Sequence, residues 1–251
     1  MRRRITRVLY GVAAAGITFL TVGFAGAGAQ ATAATPSLGQ PVYTNGQGGY
    51  ISNGRWFRFV ATTVTVAPRL VPQANGGSMM IILDTSLPYE LGTATIGVDP
   101  GGGPGTVWWN APATSPDNQG TFALSPQVGD QLAVSIYYDR SSYTTLTAAD
   151  LTQGVTKTVQ VNTGGSIVYN AVELWGAAYN NPPPPQADTR MWKVASTRLT
   201  TYTGHHGTVT GPWQTSQMIG TTTGTFQGVA VVSPSGLWNG GQSFGVWLRH
   251  R

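Results

Sequence analysis

The sequence predicts an all-β domain: two antiparallel sheets packed as a sandwich or jelly roll. Three observations predict it. Short runs with period-2 alternation recur along the chain, and no 11-residue window carries a helical stripe. Turn-forming pairs punctuate these runs at short intervals. Only 9% of residues are charged, while 34 glycines and 16 prolines occur among many threonines. That is the composition of a turn-rich β domain rather than a helical one.

The runs follow in order. Residues 55–66, RWFRFVATTVTV, place Val60, Thr62, Val64 and Val66 on one face. MMIIL from Met79, TATIGV from Thr93, TVWW from Thr106, GTFAL from Gly120 and QLAVSIYY from Gln131 come next. VTKTVQV from Val155, AVELW from Ala171 and MWKVASTRLTTY from Met191 continue the pattern. WQTSQMI from Trp213, GVAVV from Gly228 and SFGVWL from Ser243 complete it. A dozen short strands at this spacing suit a sandwich. Residues 35–50 read as a flexible lead-in to a single domain over 51–251. NNPPPPQA, residues 180–187, reads as a stiff polyproline surface loop.

Residues 1–34 read as a secretory signal peptide, so the protein is expected outside the cell. Arg2, Arg3, Arg4 and Arg7 precede an uncharged apolar run from Val8 to Phe24, and small-residue cleavage patterns follow at 27–33. The run is short for a membrane span. Four of the 14 basic residues leave with this leader, so ten face nine acids in the remainder. A near-neutral mature chain implies neither nucleic acid nor an anionic membrane as partner. Roughly 217 residues remain, enough for a sizeable core. There is no cysteine, so packing alone holds the fold and thiolate chemistry is excluded.

The chain has only two glutamates, and each sits in a strand-like stretch: Glu90 in YELGTATIGV and Glu173 in YNAVELWG. Alternation puts Ala171, Glu173 and Trp175 on one face of their strand, with Val172 and Leu174 on the other. An acid beside a tryptophan, opposite two aliphatics, suits a lined cleft; a solvated outer face gives the same pattern. Trp56, Trp108, Trp109 and Trp175 are candidates to line a groove for peptide or sugar, or else to pack the core. Trp108 and Trp109 are adjacent, so they point opposite ways and only one can face the cleft.

In collinear order, several segments resemble those of the glutamic peptidase (eqolisin) family. WFRFVATTVTVAP is similar to its opening strand, MMIILD to its Trp-x-Gly-Ile-Asp strand, and TVWWNAP to its Trp-Tyr-Glu run. LSPQVGDQLAVSIYYD, LTAADLTQGVTKTVQV, GTVTGPWQTSQMIG and VVSPSGLWNGGQSFGVWLR resemble the segments that follow. The resemblance implies a concanavalin-A-like jelly-roll sandwich and an acid endopeptidase. Glu173 falls at the family's catalytic glutamate, the general base on water. Glu90 falls at its catalytic glutamine, whose amide donates to the oxyanion. Asn110 replaces the glutamate of the Trp-Tyr-Glu run and, with Trp108, Trp109 and Trp175, is expected to bind substrate.

Glu90 departs from the family pattern in a way that bears on activity. An ionised carboxylate only accepts hydrogen bonds, so Glu90 serves as donor only when protonated. Two carboxyls facing each other in a dry cleft raise one pKa and make that state accessible in acid. A glycoside hydrolase using the same two acids is an alternative; there, carboxyls about 5 Å apart imply retention and about 6.5–9.5 Å inversion. A catalytically inactive extracellular binding protein is another.

The expected unit is a monomer acting on an extracellular protein or peptide, or on a polysaccharide, without a cofactor. No metal site is expected: adjacent His205 and His206 sit in a turn-like stretch without a carboxylate at ligand spacing. GGGPG from Gly101 lacks the following helix of a phosphate cradle, and no Gly-x-Ser-x-Gly elbow occurs. Asp84, Asp130, Asp139 and Asp150 flank turns and read as capping or solvated groups.

Overall fold

A computed structural model describes residues 38–67, 77–84, 93–99, 105–111, 118–140, 142–163, 167–178, 188–221 and 230–249. The described residues form fifteen strands and a 3-10 turn at Asn239–Gly241, with no α-helix among them. In chain order the strands are β1 (Val42–Asn45), β2 (Gln47–Thr65), β3 (Gly77–Asp84), β4 (Ala94–Asp99) and β5 (Thr106–Asn110). They continue with β6 (Gln119–Thr121), β7 (Gln131–Tyr138), β8 (Tyr143–Asp150), β9 (Val155–Asn162) and β10 (Tyr169–Ala178). The last are β11 (Thr189–Thr201), β12 (His206–Gly207), β13 (Gln214–Thr221), β14 (Ala230–Pro234) and β15 (Phe244–Leu248).

The long strand β2 belongs to two layers. Its first half pairs with β10 on one side and β13 on the other, through Gln47 to Asn53. Its second half pairs with β11 and β7 from Phe57 onward. One layer therefore runs β6-β5-β4-β3-β10-β2-β13-β1, and the other runs β9-β8-β7-β2-β11-β15-β14. β14 also pairs with β13, which joins the layers along that side. All these pairings are antiparallel except β1 with β13.

Alternation explains the layering. In β3, Met79, Ile81 and Leu83 point into the main core, and Val172 and Leu174 of β10 do the same. They meet Val60 and Val64 of β2, Leu132, Val134 and Ile136 of β7, and Phe244 and Val246 of β15. Period-2 placement of apolar side chains on one face of each sheet gives this interior. Edge-to-face rings fill its larger gaps: Tyr50 against Phe244 at 4.9 Å, and Phe57 against Trp213 at 5.1 Å. Opposite them, β9 pairs only with β8 among the described residues and exposes most of its side chains.

The structure corrects the expected lead-in at 35–50. Residues 42–45 form β1, and Gln47 to Tyr50 open β2. Glycine content hid them. A Cβ on Gly49 would stand 2.0 Å from the Leu174 carbonyl oxygen, and one on Gly48 would stand 2.7 Å from Val232. Only glycine permits that backbone approach, so a turn-like composition serves a strand here. β8, YTTLTAAD, was not expected from alternation either: threonine and alanine occupy its core-facing and outer positions alike. The polyproline segment at 180–187 lies outside the described residues.

Three of the four aspartates read as capping groups sit at turns. Asp139 accepts from the amides of Ser142 (3.1 Å) and Tyr143 (3.0 Å). Asp150 accepts from those of Thr152 (3.0 Å) and Gln153 (2.9 Å), and Asp130 from that of Gln127 (2.7 Å). Asp84 sits differently, as described below. For the core, Leu174→Ala is expected to cost about 2–5 kcal/mol of unfolding free energy, because Leu174 is fully buried where the two layers meet. Urea unfolding followed by near-ultraviolet circular dichroism measures it.

Candidate active site

Glu173 lies on the face of β10 turned away from the main core. Its direct cross-strand neighbours are Ile51 on β2 and Ile82 on β3. Residues directly opposite in a sheet share a face, so register identifies what surrounds the carboxyl. Ile82 faces Thr95 on β4, Thr95 faces Asn110 on β5, and Ile51 faces Ser216 on β13. A parallel row two residues along runs from Trp175 to Met80, Gly97 and Trp108. On the other side, Ala171 faces Asp84 of β3 and Asn53 of β2.

The floor beside Glu173 is apolar. Ile82, Trp175, Ala177 and Met218 form a second buried cluster, distinct from the main core, with Ile51 and Met80 packed against it. Glu173 is half-buried among them. Its carboxylate accepts a 3.0 Å hydrogen bond from the Trp175 indole Nε1. Because these residues are two apart on one strand, the indole lies on the same face as the acid and reaches back to it. Burial pushes the Glu173 pKa up, the indole hydrogen bond opposes this, and the negative charge of Asp84 adds to the rise. Burial dominates, so the carboxyl holds its proton to a higher pH than an exposed glutamate.

The four expected substrate-binding residues divide. Trp175, Trp108 and Asn110 share the face of Glu173, whereas Trp109 packs in the main core and does not line that face. Trp109 is corrected to a core residue for the reason that forced the choice: β5 turns successive side chains to opposite faces. Its ring lies over Gly120. The Trp108 indole lies over Gly97, where a Cβ would come within 2.1 Å of it. Three strand spacings separate β10 from β5, so Trp108 stands about 14 Å across the sheet from Glu173. Trp56 is exposed. Glu90 lies outside the described residues.

Asp84 is the residue that sequence reasoning missed. It ends β3 on the Glu173 face, diagonally across from Glu173, and one of its oxygens accepts a 3.0 Å hydrogen bond from the Thr93 hydroxyl. The signal was present in MMIILD, where alternation from Ile82 carries to Asp84, but the following turn suggested a cap. Thr95 and Ser216 join the same face only through strand register, which sequence periodicity does not supply. His205 and His206 bond to Thr203 (2.8 Å) and Thr200 (3.0 Å). Among the described residues, no three His, Asp or Glu gather at metal-binding range.

The raised pKa fixes a sign for stability. Between the unfolded and folded pKa values the native state binds more protons than the unfolded chain, so stability falls as pH rises through that window. Glu173→Gln removes the titration. It is expected to melt higher than wild type at neutral pH, with the gap closing below the ordinary glutamate pKa; scanning calorimetry at pH 3 and pH 7 measures both. Trp175→Phe removes the indole donor and is expected to raise the Glu173 pKa further, read by carboxyl NMR titration.

No protein-family model matches the chain, and no curated protein matches it in sequence. Solved structures do match. A crystal structure of scytalido-glutamic peptidase with a peptide-based transition-state analogue superposes with a TM-score of 0.62 at 16% identity, covering 82% of this chain and 98% of that one. SCP-B, a member of the eqolisin family of peptidases in complex with the tripeptide Ala-Ile-His, gives a TM-score of 0.60 at 15% identity, covering 80% and 97%. The fold of this chain is the β-sandwich of the glutamic peptidases.

Proposed function

We propose that the chain is a secreted, glutamic-peptidase-like endopeptidase that hydrolyses peptide bonds in acid, with Glu173 as general base. The observation that carries this reading is Glu173 itself, a half-buried carboxyl on apolar flooring, held by an indole donor, in a fold shared with glutamic peptidases. As water attacks the scissile carbonyl carbon, Glu173 takes its proton. The resulting acid passes that proton to the amide nitrogen as the C–N bond breaks. A base with a raised pKa accepts a proton more strongly than an ordinary carboxylate, which favours this step.

Trp175, Met80 and Trp108 are the aromatic and apolar groups proposed to receive substrate side chains, with Asn110 as a polar contact at the far strand. An extended peptide lying across the strands would meet them in turn. The arginine-headed leader supports export before this chemistry begins.

Denatured protein incubated with the mature chain between pH 2 and pH 7 is expected to be cut most in the acid range, with the rate falling below the Glu173 pKa. Glu173→Gln is expected to lose about 100- to 10,000-fold in rate, the usual contribution of a general base. Cleavage of β-glucans in place of protein would make the chain a glycosidase. No cleavage of either would leave a binding protein.

A further inference from the structure

Two buried acids meet at one end of the second layer. Asp130 sits in the turn ahead of β7, which closes onto the end of β2: the Val66 amide donates to the Asp130 carbonyl (2.9 Å) and the Gly129 amide to the Val66 carbonyl (2.8 Å). Asp150 ends β8, just before the turn into β9. Asp130 is 7% exposed and Asp150 1%. Their carboxyls stand within hydrogen-bonding distance of each other. We propose that these two carboxylates hold a calcium ion, which ties the turn before β7 to the hairpin of β8 and β9. The site lies in the layer opposite to that of Glu173 and does not rest on the hydrolase reading.

The bonding at each carboxyl leaves a place for a cation. Asp150 uses Oδ1 to accept from the amides of Thr152 (3.0 Å) and Gln153 (2.9 Å). Its Oδ2 is sealed from solvent yet receives no hydrogen bond. Asp130 accepts at Oδ2 from the Gln127 amide (2.7 Å) and the Gln153 side-chain amide (3.0 Å), and neither bond falls on Oδ1. The Gln127 amide, more than any other neighbour, holds the Asp130 carboxyl below the usual carboxylate range, so it stays ionised into acid. Among the described residues no Lys, Arg or His bears on that carboxyl, and the ion pair of Arg249 with Asp188 involves neither acid. A buried carboxylate oxygen without a donor, pressed against a second carboxylate, calls for a positive partner.

Every ligand on offer is an oxygen. Asp150 Oδ2 and Asp130 Oδ1 carry the charge. The Ser125 carbonyl stands beyond the Gln153 side-chain amide, which donates to it at 3.4 Å while also reaching Asp130. Ser125, Thr152 and Gln153 are exposed, so water reaches this rim and the Gln153 side chain is free to turn its amide oxygen inward. The chain has no cysteine, and His205 and His206 bond to threonines elsewhere. Carboxylate, carbonyl and water together suit calcium, with its roughly six to eight loosely arranged oxygens, rather than zinc or copper. Magnesium demands a stricter octahedron than two exposed turns provide. A proton shared between the acids is the competing occupant.

Calcium chloride titrated calorimetrically into the chelator-treated mature chain at pH 7 is expected to bind at one site per chain. The expected Kd is on the order of 10⁻⁴–10⁻³ M, the range of extracellular calcium modules. Because the native state alone holds the site, about 10 mM calcium is expected to raise Tm by about 3–10 °C. Two variants test the ligands. Asp150→Asn keeps Oδ1 as acceptor for both turn amides and removes one charge. Gln153→Lys brings an ammonium to the pair. Both are expected to fold, as circular dichroism checks, to give no calcium heat, and to melt alike with calcium or chelator. A full calcium response in either variant overturns the site. So does a wild type indifferent to calcium, which leaves the gap to a shared proton. An equal Tm shift from the same concentration of magnesium overturns the calcium assignment.

Discussion

Everything in this fold hangs from one strand that serves two layers. β2 is 19 residues long and changes partners midway, from β10 and β13 to β11 and β7. The change requires tight backbone approach at one end and dense alternation at the other. Gly48 and Gly49 meet the first need, and Val60 and Val64 meet the second. Because β10 is pinned along the glycine-rich half, the orientation of Glu173 depends on a segment that carries no chemistry itself. A Cβ at Gly49 would displace the backbone at Trp175, the donor of the hydrogen bond to the acid, and at Leu174 between the two.

The acid's environment follows from that pinning. β10 turns Leu174 into the core and Glu173 and Trp175 outward, so the same alternation that builds the interior delivers an acid and its indole donor to one surface. Isoleucines from both flanking strands then strip water from the carboxyl. Desolvation and a neighbouring negative charge act in one direction, and a single neutral donor acts in the other. The balance leaves a carboxyl that holds its proton to a higher pH than an exposed glutamate does.

How much of this was legible depended on which rule each residue obeyed. Alternating apolar residues announced β3, β7, β10 and β15, and the pairing of Glu173 with Trp175 on one face was readable from AVELW. β1 and the start of β2 were not, because their glycines serve close packing and mimic turns. Trp108 and Trp109 had to point opposite ways, yet only the position of β5 between β4 and β6 decides which is inside. Asp84 reads from sequence as a capping or solvated group because turn-forming residues follow it, whereas its face is set by register with β10. Cross-strand neighbours such as Thr95 belong to pairings far apart in the chain, which local patterns do not encode.

The bare flank of the second layer has a consequence for how such a protein keeps to itself. Among the described residues the outer edge of β9 is unpaired, a row of amides and carbonyls onto which another chain could zip. Its side chains answer that hazard: Thr156, Lys157, Thr158 and Gln160 are polar on both faces, and the ammonium of Lys157 must be desolvated before a foreign strand can dock. With no disulfide to restrain unfolding, this gatekeeping charge is a local defence against fibril growth at high concentration.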